Sequence, residues 1–330
     1  MDIRIRVYTN KYKLSDSFHS SSGVLVEKTE LIILFTVRDK VISPFAMELP
    51  LSPSHGEMPD DFIKSVNERS INKSKHFSNS LSYFFGLEDF FKKVEMAKII
   101  NSGLIKSIKT IGIGEIIDDE IRNYDLIKLK SSNQYLDDTI AIVNENKNVK
   151  FIIDFNASIN FEQWNYPIDR IDKNNLFGIE QPMKFPSKIP DFGFLNIADE
   201  TFVKCGYEKI HEYGYNAFVY KPFASNIKEL YKCFENKNNY VGMVGSNVSG
   251  PLDCSFCNII NHYMPTKLAG NRASNFEAHP LNNKTEDLMR IREKKIYLSD
   301  ELFIYLDKFC RKVSDLYFDM NKLKETATNI

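Results

Sequence analysis

Residues 151–158 read FIIDFNAS, an apolar run that ends in Asp154 and Asn156. A short β-branched and aromatic run of this kind is the pattern of a strand covered on both faces. Six other runs share its texture: IKTIGIG (108–114), YDLIKLK (124–130), LFGIEQP (176–182), FGFLNIADE (192–200), NAFVYKPF (216–223) and YVGMVGS (240–246). Helix-like segments such as ETFVKCGYEKIHEYG (200–214) and SNIKELYKCFEN (225–236) fill several of the gaps. Repeated strand, helix, strand requires a parallel sheet, and seven or eight repeats close most economically into a (β/α) barrel.

The stretch before this series has another texture. IRIRV alternates, GVLVEKTELIILFTV follows after a serine-rich segment at 15–23, and the pair suggests an antiparallel meander. Helical patterns come next, roughly DDFIKSVNERSINK and SLSYFFGLEDFFKKVEMAKII. The expected architecture is therefore α/β: a modified (β/α)8 barrel over 104–295 and an N-terminal α+β capping domain over 1–103. Residues 296–330, with LSDELFIYLDKFCRKVSDLYF expected as one or two helices, return to the barrel exterior or complete the cap. The start, MDIRIRVYTNKYKL, is expected as an edge strand with outward charges rather than a targeting peptide.

Composition narrows the function classes. The 330 residues carry 43 Lys and Arg against 44 Asp and Glu, a formal charge of -1, so no global field recruits nucleic acid or an anionic membrane. No apolar stretch approaches the ~20 residues that span a bilayer. Five scattered cysteines point to a reducing, cytoplasmic setting, and the single CxxC at Cys254 and Cys257 is expected to pack in the core. Either a monomer or a homo-oligomer is compatible with this composition.

Five of the apolar runs carry charged or amide residues, each time at the C-terminal end: Lys128 and Lys130, Asp154 and Asn156, Glu180 and Gln181, Asp199 and Glu200, and Lys221. In a barrel those ends line one mouth, where active sites are built. Taken singly, a strand-end Asp caps the next helix and a strand-end Lys reaches solvent. The ordered set Lys, Asp, Glu, Asp, Lys on successive strands instead marks a site. Asp154, Glu180 and Asp199 offer hard oxygen donors suited to Mg2+, with Mn2+ as an alternative. Lys130 and Lys221 flank them. A lysine beside a divalent cation and beside a second ammonium, that of Lys128, is expected to lose part of its preference for the charged form and to approach the range of a base.

The series IKLK, IIDFN, IEQP, ADET and VYKP resembles the enolase superfamily, specifically its muconate-lactonizing-enzyme-like subgroup. NSLSYFFGLEDF (79–90) is similar to the helix that precedes the first barrel strand there. The resemblance implies that Lys130 and Lys221 are the acid/base pair and that Asp154, Glu180 and Asp199 bind Mg2+. Lys128, Asn156 and Glu200 would support them, and the substrate would be a small-molecule carboxylate. Within the subgroup the Lys221-Pro222 pair looks most like o-succinylbenzoate synthases, the dehydratases of menaquinone biosynthesis. By that likeness Lys130 removes the proton alpha to the carboxylate and then helps hydroxide leave as water, while Lys221 stabilises the anion as a cation. A dipeptide or N-acylamino acid epimerase using both lysines as opposed bases is the alternative. Ser246, Asn247 and Ser249 would donate hydrogen bonds to a substrate carboxylate. The serine loop is either a hairpin tip or a segment that closes over the site with Phe18 or His19 against substrate.

Overall fold

The computed structural model describes residues 2–20, 23–37, 44–49, 51, 57–96, 108–112, 126–160, 169–236, 240–245, 250–263, 288–292 and 295–328. The strands are β1 (Asp2–Ser20), β2 (Gly23–Val37), β3 (Phe45–Glu48), β4 (Lys109–Ile111), β5 (Leu126–Lys130), β6 (Lys150–Asp154) and β7 (Leu176–Glu180). They continue with β8 (Leu195–Ala198), β9 (Ala217–Tyr220), β10 (Val241–Val244), β11 (Met289–Arg292), β12 (Lys295–Leu298) and β13 (Arg311–Asp319). The α-helices are α1 (Pro59–Asn67), α2 (Lys75–Met96), α3 (Leu136–Glu145), α4 (Glu200–Cys205), α5 (Ile227–Glu235), α6 (Pro251–Tyr263), α7 (Asp300–Phe309) and α8 (Met320–Thr328).

One sheet is antiparallel, in the order β13-β1-β2-β3. The IRIRV alternation buries Ile3, Ile5 and Val7 completely on its inner face. Two expectations change here. β1 is no edge strand, because β13 from the far end of the chain pairs along it, with Arg4 opposite Tyr317 and Ile5 opposite Leu316. The C-terminal stretch is helical only in its first half. Ser299 accepts from the Leu302 N–H at 3.3 Å and starts α7, but Cys310 is extended and residues 311–319 form β13. The physical reason is that long-range pairing with β1, including the two-pronged bond from Arg4 to Asp315 at 2.7 and 2.8 Å, outweighs local propensity.

The other large sheet is parallel, in the order β10-β9-β8-β7-β6-β5-β4. All seven apolar runs named above contribute a strand to it. Its outer face joins the main hydrophobic core, while Ile108, Leu126, Ile152, Ile197, Ala217, Val219 and Met243 form a second, smaller apolar cluster. That cluster joins residues from both ends of the sheet, so the sheet is curled around its own inner face. A side chain at Gly178 would meet the Leu195 carbonyl at 2.8 Å and Ile197 at 2.9 Å, which keeps this position bare on the crowded interior. Among the described residues no helix is long and apolar enough to cross a membrane.

The antiparallel sheet touches the end of the parallel-sheet repeats through Glu48. Its carboxyl oxygens accept from the backbone N–H groups of Gly250 and Asp253 at the start of α6, the latter at 3.3 Å, with the Lys28 ammonium 3.8 Å away. Burial first, and the charge of Glu30 second, push Glu48 up to about 8 against the pull of Lys28. Between the ordinary carboxylate range and that value the folded chain keeps a proton that the unfolded chain has released. The contribution of this one carboxyl to stability is therefore expected to fall as pH rises through this window, by up to about 1.4 kcal/mol per pH unit. Denaturant midpoints at about pH 5.5 and about pH 8 would show the slope, and Glu48→Gln should lower it by the share of this one carboxyl.

Candidate active site

Register brings the strand-end residues together. Lys130 lies opposite Asp154, and Asp154 lies opposite Glu180, so three successive strands put these side chains in one row on the inner face. Glu180 pairs with Ile197, and Ile197 pairs with Ala217. Asp199 and Lys221 follow these partners by even steps and share the same face. Lys128 lies two residues below Lys130, beneath the row. The apolar cluster around Ile152, Ile197 and Val219 forms the floor.

The charges are matched, three ammonium groups against three carboxylates. Lys128 Nζ lies 2.5 Å from Glu180 Oε1 and 3.0 Å from Asp154 Oδ2. Lys130 Nζ lies 2.6 Å from Asp154 Oδ2 and 2.8 Å from Asn156 Oδ1. Lys221 Nζ lies 2.5 Å from Asp199 Oδ2. Asp154 and Glu180 are wholly buried, and Asp199 nearly so. The Asn156 backbone N–H donates to Asp154 Oδ1 at 3.0 Å and fixes the carboxylate plane.

The pKa directions follow from this packing. Burial pushes Asp154 up, but Lys128 and Lys130 outweigh it and hold the carboxyl well below the usual range. Glu180 rises to about 8 through burial and the neighbouring Asp154 charge, and Glu200 to about 7 through burial and Asp199. Lys128 and Lys221 are both pushed up. Burial lowers both, yet the facing carboxylates win: Asp154, Glu180 and Asp199 for Lys128, Asp199 and Glu200 for Lys221. In the ion-paired arrangement these ammonium groups are held charged.

Sequence reasoning placed Gln181 at a strand end without a task, and the structure gives it one. This fully buried residue has φ 37° and bridges two strand ends. Its Oε1 accepts from the backbone N–H groups of Asp199 at 3.1 Å and Thr201 at 2.9 Å. Its Nε2 donates to the Met183 carbonyl at 2.7 Å, Thr201 Oγ1 at 2.9 Å and Tyr215 Oη at 3.2 Å. Glu180 and Asp199 are thus held at one spacing by the side chain that follows the first and binds the backbone of the second. Gln181→Leu is expected to destabilise the protein by about 1–3 kcal/mol for each buried N–H left unpaired. A denaturant titration checks this.

The other candidates divide. Glu200 opens α4, half-buried beside Asp199, with Oε2 unpartnered. Phe18 and His19 lie near the tip of the β1–β2 hairpin, opposite Leu25 and Val24. Their side chains, and Ser246, Asn247 and Ser249 entirely, lie outside the described residues. Cys254 and Cys257 are buried on α6, and burial pushes the Cys257 thiol up, as core packing requires.

The donor set can be tested against a divalent cation. Among the described residues no three His, Cys, Asp or Glu side chains converge on one point as ligands, because the ammonium groups stand between the carboxylates. Yet Glu180 Oε2 and Asp199 Oδ1 are buried carboxylate oxygens with no hydrogen-bond partner. Unpartnered buried anionic oxygens are costly, and hard oxygen donors are what Mg2+ takes. The residues fit such an ion in type and in unused capacity.

No protein-family model matches the sequence, and a search of curated proteins gives no match. Solved structures do match. A dipeptide epimerase from Cytophaga hutchinsonii, complexed with Mg and the dipeptide D-Ala-L-Val, is 15% identical with TM-score 0.64, over 97% of this chain and 100% of that one. A member of the enolase superfamily from Listeria innocua is 16% identical with TM-score 0.65, over 96% and 98%. A muconate lactonizing enzyme from Pseudomonas fluorescens, complexed with muconolactone, is 14% identical with TM-score 0.66, over 93% and 98%. The chain thus has the fold of these enolase superfamily structures: a curled parallel α/β sheet with a separate antiparallel cap.

Proposed function

We propose that this chain is an enzyme of the enolase superfamily, one that uses Mg2+ and a pair of lysines to move a proton alpha to a carboxylate. The observation that carries the reading is the row itself, with Lys130 and Lys221 at opposite ends of three buried carboxylates. Asp154, Glu180 and Asp199 would hold Mg2+, whose positive charge beside the substrate carboxylate lowers the cost of negative charge developing there.

The particular reading is o-succinylbenzoate synthase, supported by Lys221-Pro222 and the motif series. Lys130, as the neutral amine, takes the proton alpha to the carboxylate, and the C–H electron pair becomes a ring double bond as the C–O bond breaks. The proton on Lys130 then passes to the departing hydroxide, which leaves as water. Lys221, held as a cation by Asp199 and Glu200, needs only to balance charge on the opposite side. Asn156 supports the return of Lys130 by accepting from its ammonium.

A second reading, dipeptide epimerisation, is favoured by the likeness to dipeptide epimerase structures and by lysines on both flanks. There one lysine removes the proton and the other returns one to the opposite face. The deciding experiment follows loss of diene absorbance from the hydroxycyclohexadiene carboxylate precursor, with Mg2+ and with chelator. Metal-dependent turnover supports the synthase. No turnover overturns it and leaves deuterium exchange of dipeptides as the test of the second reading.

A further inference from the structure

The turn that carries Lys221 is gripped by a helix outside the parallel sheet. Phe223 is fully buried and has φ 76°, a conformation that costs a residue with a β-carbon about 1–2 kcal/mol. An aromatic side chain stays there only when its surroundings over-determine it. Those surroundings come from α2. Asn79 Nδ2 donates to the Phe223 carbonyl at 2.8 Å in a buried position. One turn on, the Tyr83 hydroxyl is hydrogen-bonded to that of Tyr220, and the two rings Tyr83 and Phe223 pack edge to face at 5.4 Å. Ser82 Oγ accepts from the Ile227 N–H at 3.3 Å, and Gly86 lies where an added β-carbon would stand 3.1 Å from Ile227.

Positions 79, 82, 83 and 86 recur at steps of three and four, which is one face of a helix. That face lies along residues 220–227. Inside the turn the backbone offers the bonds from Ser225 N to the Lys221 carbonyl at 3.2 Å and from Ala224 N to the Pro222 carbonyl at 3.0 Å, with a bridge between Pro222 and Ser225. Pro222 has no N–H to add.

We infer that Asn79 is a positioning residue for Lys221: by holding the Phe223 carbonyl it fixes the left-handed turn that aims the Lys221 ammonium at Asp199. The functional side of this rests on the proton-transfer reading above; the structural side does not. A helix that precedes the barrel strands thus decides where the second lysine stands, without touching substrate. The NSLSYFFGLEDF segment contains all four of these residues.

The test compares wild type with Asn79→Ala and with the near-isosteric Asn79→Asp, which cannot donate. Ser80→Ala, which removes a buried bond from the same helix to the His76 carbonyl and leaves the face toward Phe223 intact, is the folded control. Crystal structures of the variants are expected to show Phe223 leaving the left-handed region and Lys221 separated from Asp199. With Mg2+ bound and L-Ala-L-Glu or L-Ala-D-Glu in deuterated water, exchange on the Lys221 face should drop about 10- to 100-fold. Exchange on the Lys130 face should hold. An unchanged Phe223 turn and Lys221–Asp199 pair in a folded variant overturns the assignment whatever the rates, and so does equal loss on both faces. If wild type exchanges on neither face, the epimerase reading fails and the crystallographic comparison alone decides Asn79. Should both variants fail to fold, Asn79→Ser, whose shorter stem takes its hydroxyl out of reach of the Phe223 carbonyl, carries the same comparison.

Discussion

Lys130→Ala is expected to lower turnover by about 10²- to 10⁴-fold, the contribution of a positioned general base, while the protein remains folded. Lys130 stands at the rim of the charge row, and the Lys128 ammonium remains 3.0 Å from Asp154 and 2.5 Å from Glu180 beneath it. The two buried carboxylates therefore keep a cation when Lys130 is removed. The variant should bind Mg2+ in a thermal-shift titration and fail in the absorbance assay. Lys221→Ala separates the two reactions. A dehydratase should lose less with Lys221 than with Lys130, whereas an epimerase should lose the opposite direction of exchange with each. Equal and complete retention of activity in both variants would exclude lysine acid/base chemistry at this row.

The second large effect is structural. Asp154→Ala is expected to destabilise the metal-free protein by about 3–5 kcal/mol, the cost of breaking a buried ion pair from one side. Lys128 and Lys130 both lean on the same oxygen, Oδ2, at 3.0 and 2.6 Å, and Oδ1 takes the Asn156 N–H. Without the carboxylate two ammonium groups are left close together and lose the anion they share, while Lys128 keeps Glu180 and Lys130 keeps Asn156 Oδ1. Equilibrium denaturation measures the loss, and the Mg2+-dependent thermal shift should vanish as well. Asp154→Asn separates charge from shape, since the amide keeps the acceptor for Asn156 N–H while losing the anion. A variant as stable as wild type would show that the row is not a coupled unit.

Much of this was legible in the sequence for a definite reason. Strands covered on both faces are continuous apolar runs, so a carboxylate at the end of FIIDFN or an ammonium at the end of LIKLK stands out against its neighbours. Each of the seven runs became a parallel strand, and even spacing within a strand was enough to place Lys128 and Lys130 on one face. The alternation of IRIRV likewise told which residues of β1 face inward.

What only the tertiary structure decided depends on partners far away in the chain. The strand character of residues 311–319 comes from pairing with β1, some three hundred residues earlier in a chain of 330. No local pattern reports that neighbour. The pKa directions of Lys128 and Lys221 depend on which charges stand nearest, and in the fold those are carboxylates carried by other strands. Gln181 stood out in the sequence only as a strand-end amide without a task, and Asn79 carried no signal of its own. Amides are ordinary at strand ends and on helices, and their weight comes from backbone groups that register and packing bring within 3 Å or so of them. Sequence pattern thus determined which faces are buried and which side chains are exceptions, because burial is periodic along the chain. Tertiary structure decided which exceptions meet, because hydrogen bonds and ion pairs depend on distances that periodicity does not encode.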